Sequence, residues 1–138
     1  MINKSILQSV ISKYYLNVCE SVKWEVEDNV LNIKFMSPTA DIIGKVQCNN
    51  FPLENSEIAI YDTKKLSSLI SICNGDLLLE LEKQNKLINK LKISDLNFNL
   101  TYAVSDPLLI SKVGTVNIPD FKVNLNLTSE DIDNLIKA

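Results

Sequence analysis

Side chains that commonly carry catalysis are scarce in this chain. It has no histidine, and all 14 basic residues are lysines, so the usual general base and the bidentate arginine fork are both missing. Its three glycines are too far apart for a phosphate-binding loop. Cys19, Cys48 and Cys73 have no zinc-site spacing, and their odd number does not suit a closed set of disulfides. We therefore expect no catalytic residues, no cofactor and no metal site.

Lysines that lack neighbouring carboxylates are the remaining group that could act chemically, as point charges toward phosphate. They lie on two segments with apolar residues at helical spacing. The first segment predicts a helix over about 3–15, capped by Asn3, and the second a helix over about 63–73, capped by Asp62. The predicted buried faces are Ile2, Ile6, Leu7, Val10, Ile11 and Tyr14 in the first helix, and Leu66, Leu69, Ile70 and Cys73 in the second.

Neither helix contains a carboxylate apart from the cap at Asp62, although the chain has 17 acidic residues and a net charge of -3. Two acid-free helices on the same side of a sheet would make a weakly positive, polar surface on an otherwise acidic protein. Such a surface suits contact with a phosphate backbone without base readout. The outward positions are Lys4, Ser5, Gln8, Ser12 and Lys13 in the first helix, and Lys64, Lys65, Ser67, Ser68 and Ser71 in the second.

The rest of the chain reads as short strands separated by polar turns. The predicted strands are Val22–Val26, Val30–Met36, Asp41–Val46, Glu57–Tyr61, Leu77–Glu82, Leu87–Ile93, Leu96–Ala103 and Phe121–Leu127. A capping box at Thr128–Asp131 opens a third helix with Ile132, Leu135 and Ile136 on its apolar face. The helices begin near residues 3, 63 and 129, and the order of elements repeats with them.

Three segments resemble the polymerase sliding clamps, or processivity factors, of large tailed bacteriophages. Ile58–Asp62 leading into Leu66–Ser71 is similar to the strand and second helix of these clamps, and Ala103–Pro107 to the stretch that leaves their first domain. Phe121–Leu127 followed by Thr128–Ile132 looks like the start of their second domain. The resemblance is strongest over 57–138, whereas in the first 50 residues only the order of elements agrees.

The resemblance implies an α+β DNA clamp fold of repeated strand-helix-three-strand units, with the helices on one face of antiparallel sheets. Residues 1–105 would form a first domain of two repeats, about 1–50 and 51–105. Residues 106–120 would be an interdomain connector, and 121–138 the first strand and helix of a truncated second domain. Such domains assemble head to tail into a homo-oligomeric ring, with helices lining the hole.

In such a ring the channel side chains contact duplex DNA without sequence readout. A clamp loader would open the ring, and the replicative polymerase would bind its outer surface through a short peptide. Lys137 is a weaker channel candidate because Glu130, Asp131 and Asp133 lie beside it. The channel residues implied for this chain are Lys4, Lys13, Lys64, Lys65, Lys137, Gln8, Ser68 and Ser71.

An alternative interpretation stays open on the sequence alone. It is a small α+β module that binds another protein without contacting DNA, and whose lysines serve only solubility. The clamp hypothesis requires the two acid-free helices to be neighbours, and the alternative does not. In either case we expect a cytoplasmic protein, in the infected bacterial host if it is a phage clamp, because the chain has no signal-like leader and no apolar run approaching 20 residues.

Overall fold

The computed structural model describes residues 1–138 and contains three α-helices and eight strands. The helices are α1 (Lys4–Tyr15), α2 (Thr63–Ile72) and α3 (Ser129–Lys137), and a short 3₁₀ helix spans Pro107–Leu109. The strands are β1 (Ile2–Asn3), β2 (Val22–Glu27), β3 (Val30–Met36), β4 (Ile43–Cys48), β5 (Ser56–Ile60), β6 (Asp76–Gln84), β7 (Leu87–Ser94) and β8 (Asn99–Ala103).

The strands form two antiparallel four-stranded sheets, in the orders β4-β3-β2-β5 and β1-β6-β7-β8. Each repeat is a strand, a helix and a three-strand meander, and the first strand of each repeat joins the sheet of the other. Ile2 pairs with Leu77, and Val22 pairs with Ile60. The strand that completes the first repeat was not predicted, because β1 has only two residues and two residues show no periodicity.

Both helix caps match the sequence prediction. The side chain of Asn3 accepts a hydrogen bond from the Ser5 N–H at 2.9 Å, and Asp62 accepts from the Lys65 N–H at 2.8 Å. These bonds satisfy amide groups that have no partner within a first helical turn. Helix α2 ends at Ile72, and Gly75, three residues further on, has a φ of +69°, which glycine adopts without steric cost.

Two strands begin later in the chain than predicted, and side-chain hydrogen bonds explain both differences. Strand β4 begins at Ile43 instead of Asp41, because the Ser37 hydroxyl donates to the Asp41 carboxylate and holds a turn there. Strand β8 begins at Asn99 instead of Leu96, because the Asp95 carboxylate accepts from two N–H groups of the following turn.

The strand predicted at Phe121–Leu127 is wrong for this structure. These residues are exposed and lie in no strand, since a strand requires a hydrogen-bonded neighbour and none lies beside them. The helix that follows does form, with the predicted capping box between Thr128 and Asp131. Its apolar residues Ile132, Leu135 and Ile136 are exposed.

A single apolar core joins both sheets and the first two helices. Trp24 of β2 is fully buried and meets the ring of Phe51 edge-on, with ring centroids 5.9 Å apart. Leu7 and Leu66 bring the two helices into the same core. Burying one such leucine side chain contributes about 1.5–3 kcal/mol, so the core fixes the helices on the sheets. No helix is long and apolar enough to cross a membrane.

Candidate nucleic-acid interface

The two acid-free helices are antiparallel neighbours. Lys4, at the start of α1, reaches the last turn of α2, and Tyr14, near the end of α1, meets Thr63 at the start of α2. The Tyr14 and Thr63 hydroxyls are 3.1 Å apart and buried, and burial is the main reason that the pKa of Tyr14 lies well above its ordinary value. The adjacency that the clamp hypothesis requires is therefore present.

Lys4 has a structural task at the junction of these helices. Its ammonium donates to the backbone carbonyl oxygens of Ser71 at 2.8 Å and Cys73 at 2.5 Å. Both carbonyls belong to the carboxyl end of α2, where carbonyls lack partners in the helix and the helix dipole attracts a cation. Lys4 therefore holds the start of α1 against the end of α2, and its ammonium is not directed outward as predicted.

The outward face of α1 differs from the predicted one. Ser5, Ser9 and Ser12 are exposed at its centre, whereas Gln8 is half-buried. Gln8 is four residues from Lys4, so it lies on the side of α1 that Lys4 turns toward α2. Ile6, predicted to be buried, is 51% exposed. It lines an open cleft of about 770 Å³ between α1 and β4.

On α2, the predicted outward residues Lys64, Lys65, Ser68 and Ser71 are all exposed. The Ser68 hydroxyl donates to the Lys64 carbonyl at 2.9 Å, and the Ser71 hydroxyl donates to the Ser68 carbonyl at 2.6 Å. These hydroxyl hydrogens are used within the helix, so a contact with phosphate would require them to turn away from these carbonyls. Lys64 and Lys65, together with Lys13 of α1, are therefore the groups of the helix pair that are free to neutralise phosphate charge.

Sequence reasoning missed a carboxylate next to these lysines. Glu20 accepts a hydrogen bond from the Tyr15 hydroxyl at 2.9 Å and another from the Lys64 N–H at 3.2 Å. It thus lies at the amino end of α2, beside the cap Asp62, where the helix dipole favours negative charge. No periodicity identifies Glu20, which is 44 residues from Lys64. The positive excess of the helix pair is therefore smaller than the sequence suggests.

Ion pairing distinguishes several lysines of the sheets from those of the helices, although Lys34 of β3 and Lys45 of β4 also form no ion pair. Lysines of β2, β6 and β7 form all five ion pairs of the chain, whereas Lys13, Lys64 and Lys65 form none. The strongest cluster is Glu82 with Lys90 and Lys92, whose hydrogen bonds lower the pKa of Glu82 to about 2. The helix lysines therefore keep their charge available to a ligand.

Lys137, the remaining predicted channel residue, is in the last turn of α3. Every residue of α3 is exposed, so no packing places Lys137 beside the helix pair. The structure brings together the predicted residues of α1 and α2 but not the one on α3.

The chain has little that resembles a reactive centre. Burial raises the pKa of the thiols of Cys19, Cys48 and Cys73, which makes each of them a poorer nucleophile. Nowhere do three or more histidine, cysteine, aspartate or glutamate side chains group as metal ligands would.

Comparison with known proteins places the fold. The chain is similar to the crystal structure of the DNA polymerase III subunit beta from Pseudomonas aeruginosa, with a TM-score of 0.59 and 18% sequence identity. The match covers 99% of this chain and 37% of that one, so the chain spans little more than a third of its neighbour's length. No protein-family model matches the sequence, and no curated protein matches it.

The similarity and the topology together define the class of fold. Two strand-helix-three-strand repeats, with exchanged first strands and adjacent helices, build an α+β DNA clamp fold, as the sequence predicted. One solved structure that shares this fold is that of a DNA polymerase III subunit.

Proposed function

We propose that this protein is a DNA polymerase processivity factor, a sliding clamp of the kind used by large tailed bacteriophages. It encircles duplex DNA without reading its sequence and tethers the replicative polymerase, and a clamp loader places it on DNA in the cytoplasm of the infected cell. It acts by binding and is not an enzyme. Phosphate contacts come from Lys13, Lys64 and Lys65, through charge alone.

One observation carries the proposal. In an acidic protein in which lysines of β2, β6 and β7 are paired with carboxylates, the two neighbouring helices present lysines that form no ion pair. The carboxylates near them, Glu20 and Asp62, are held at the amino end of α2 by N–H donors. A face of this kind attracts a phosphate backbone, and its weak charge suits sliding better than tight, fixed binding.

Ring assembly is part of the proposal. Strands β4 and β8 each lie at one end of their sheet, with β5 and β1 at the other ends, and β4 and β8 each have one edge without a ladder partner. Such edges can pair with another domain, and pairing β4 of one domain with β8 of the next is heterologous, which generates a ring when the rotation closes. Residues 1–105 would be one domain, 106–120 a connector, and 121–138 the opening of a second domain.

Retention on DNA with blocked ends tests encirclement without a loader. The protein is threaded onto linear duplex DNA with biotin at both ends, streptavidin then closes the ends, and bound protein is measured after a wash in high salt. A ring stays on blocked DNA and leaves open DNA. Equal loss from both DNAs would show that this chain does not encircle its ligand.

The lysines are tested by salt dependence. The slope of log K against log salt is negative, and each phosphate contact contributes about 0.9 to its size. Replacing Lys13, Lys64 and Lys65 with glutamate should therefore make the slope less negative by about 3. The matched control is Lys86→Glu, which reverses an exposed, unpaired lysine in the turn between β6 and β7. An unchanged slope in the triple variant would refute the assignment of the helix face.

A further inference from the structure

The connection between α2 and β6 brings an amide side chain next to an unshielded backbone nitrogen. Asn74 and Gly75 are both exposed, and the Asn74 side chain forms no hydrogen bond, while its backbone N–H donates to the Asp95 carboxylate at 2.6 Å. The N–H of Gly75 has no acceptor within the chain. A Cβ added at Gly75 would meet nothing within 4 Å. Nothing therefore obstructs the approach of the Gly75 nitrogen to the Asn74 side chain.

This pair of residues allows a reaction that needs no co-reactant other than water. The Gly75 nitrogen loses its proton and attacks Cγ of Asn74, so that an N–Cγ bond forms, the Cγ–Nδ2 bond breaks and ammonia leaves. Water then opens the resulting succinimide ring. Opening at Cγ gives an aspartate, whereas opening at the backbone carbonyl gives an isoaspartate, in which the chain runs through Cβ and Cγ. The isoaspartate therefore adds a backbone atom as well as a negative charge.

We propose that Asn74 is a site of spontaneous deamidation and that its isoaspartate form releases β1 from β6. Asn74 is the one asparagine of the chain that precedes glycine, the residue that hinders the attack least. The closest competitor, Asn55, precedes Ser56 and is also exposed. Its side-chain oxygen, however, accepts a hydrogen bond from the Asp28 N–H at 2.9 Å, and Ser56 is fixed in β5. Asn74 has neither restraint.

The residues on either side of Asn74 hold the start of the chain in place. The Lys4 N–H donates to the Gly75 carbonyl at 3.0 Å, and the Lys4 ammonium donates to the Cys73 carbonyl at 2.5 Å. Because these two acceptors flank Asn74, an added backbone atom changes the distance between them. Strand β1 pairs with β6 through two residues only, so it has no further pairing that could keep its register. The isoaspartate should therefore release β1 and loosen the start of α1.

Ageing of the full chain at mildly alkaline pH provides the test, because base promotes loss of the Gly75 proton. Mass spectrometry of proteolytic peptides follows the conversion of each asparagine, and chromatographic retention separates isoaspartate from aspartate. Asn74 should convert at least tenfold faster than Asn55, which corresponds to about 1.4 kcal/mol in activation free energy. Exchange of the Lys4 amide hydrogen with solvent should be about tenfold faster in the aged protein than in the fresh protein.

Two variants separate the added atom from the added charge. Asn74→Gln keeps an exposed amide but slows ring closure, so the aged variant should keep both its mass and the protection of the Lys4 amide. Freshly purified Asn74→Asp adds the charge without the atom and should also keep Lys4 protected. The proposal is overturned if Asn74 converts no faster than Asn55, if the aged protein protects Lys4 as the fresh protein does, or if Asn74→Asp loses the same protection. No readout involves DNA, so this inference and the clamp proposal can fail independently.

Discussion

Lys4 allows a decisive test of whether a lysine of the helix pair is structural or binds DNA. Its ammonium donates to the carbonyls of Ser71 and Cys73 at the end of α2. Lys4→Met keeps the aliphatic stem and removes both donors. Water can replace the donor at the exposed Ser71 carbonyl, whereas the Cys73 bond is partly buried and its loss is less easily compensated.

A hydrogen bond from a charged group contributes about 1.5–3 kcal/mol when its loss leaves a partner unsatisfied, and an exposed bond contributes less. We therefore expect Lys4→Met to lower the free energy of unfolding by about 1–2 kcal/mol. With a slope of about 2 kcal/mol/M for a small domain, the urea midpoint falls by roughly 0.5–1 M. Fluorescence of Trp24, the single tryptophan and fully buried, reports the transition.

The matched control is Lys64→Met, which makes the same substitution at an exposed lysine whose side chain has no partner. It should change stability by less than about 0.5 kcal/mol and weaken DNA binding, whereas Lys4→Met should leave the intrinsic DNA affinity unchanged. A stable Lys4→Met variant that binds DNA as poorly as Lys64→Met would refute the structural role assigned to Lys4.

Three further changes probe the fold. In Gly44→Ala the added Cβ would overlap the ring of Phe35, so thermal unfolding should show a loss of stability of about 1–3 kcal/mol. Gly114→Ala, with open space around it, is the control and should be neutral. Ala40 has a φ of +57°, so Ala40→Gly should raise the free energy of unfolding by about 0.5–1 kcal/mol, and the urea midpoint should rise with it. Backbone N–H donors hold the pKa of Asp95 in the folded protein below its ordinary value of 3.8. The ionised carboxylate therefore stabilises the fold fully above pH 3.8, and this stabilisation is lost as the pH falls through the lower pKa of the folded state. The difference in stability between wild type and Asp95→Asn should therefore shrink in acid, and a constant difference would argue against this role.

The helices and caps could be predicted from sequence because the forces that set them are local. Apolar spacing places Leu7 and Leu66 inward, and Asn3 and Asp62 cap helices that begin at the next residue. The starts of β4 and β8 could not be predicted in this way. Ser37 and Asp95 set them through side-chain hydrogen bonds, which leave no periodic signal.

The candidate site shows the same limit at longer range. Helical angles correctly predict that Lys13, Lys64 and Lys65 are exposed. They fail for Lys4, because its partners are the carbonyls of another helix, 67 and 69 residues further along the chain. A side chain at the margin of one helix can equally face solvent or a neighbouring helix, and only the packing of the two helices decides which.

That packing follows from the exchange of first strands between the repeats. Because β1 joins β6 and β5 joins β2, the helix that follows each exchanged strand begins where the two sheets meet. Both helices are thereby brought to the same junction and, since the exchange is reciprocal, they run in opposite directions. The lysine-bearing face is thus a product of the repeat, because neither repeat alone would place α1 and α2 side by side. A protein that uses this face to hold DNA must keep both exchanged strands in register.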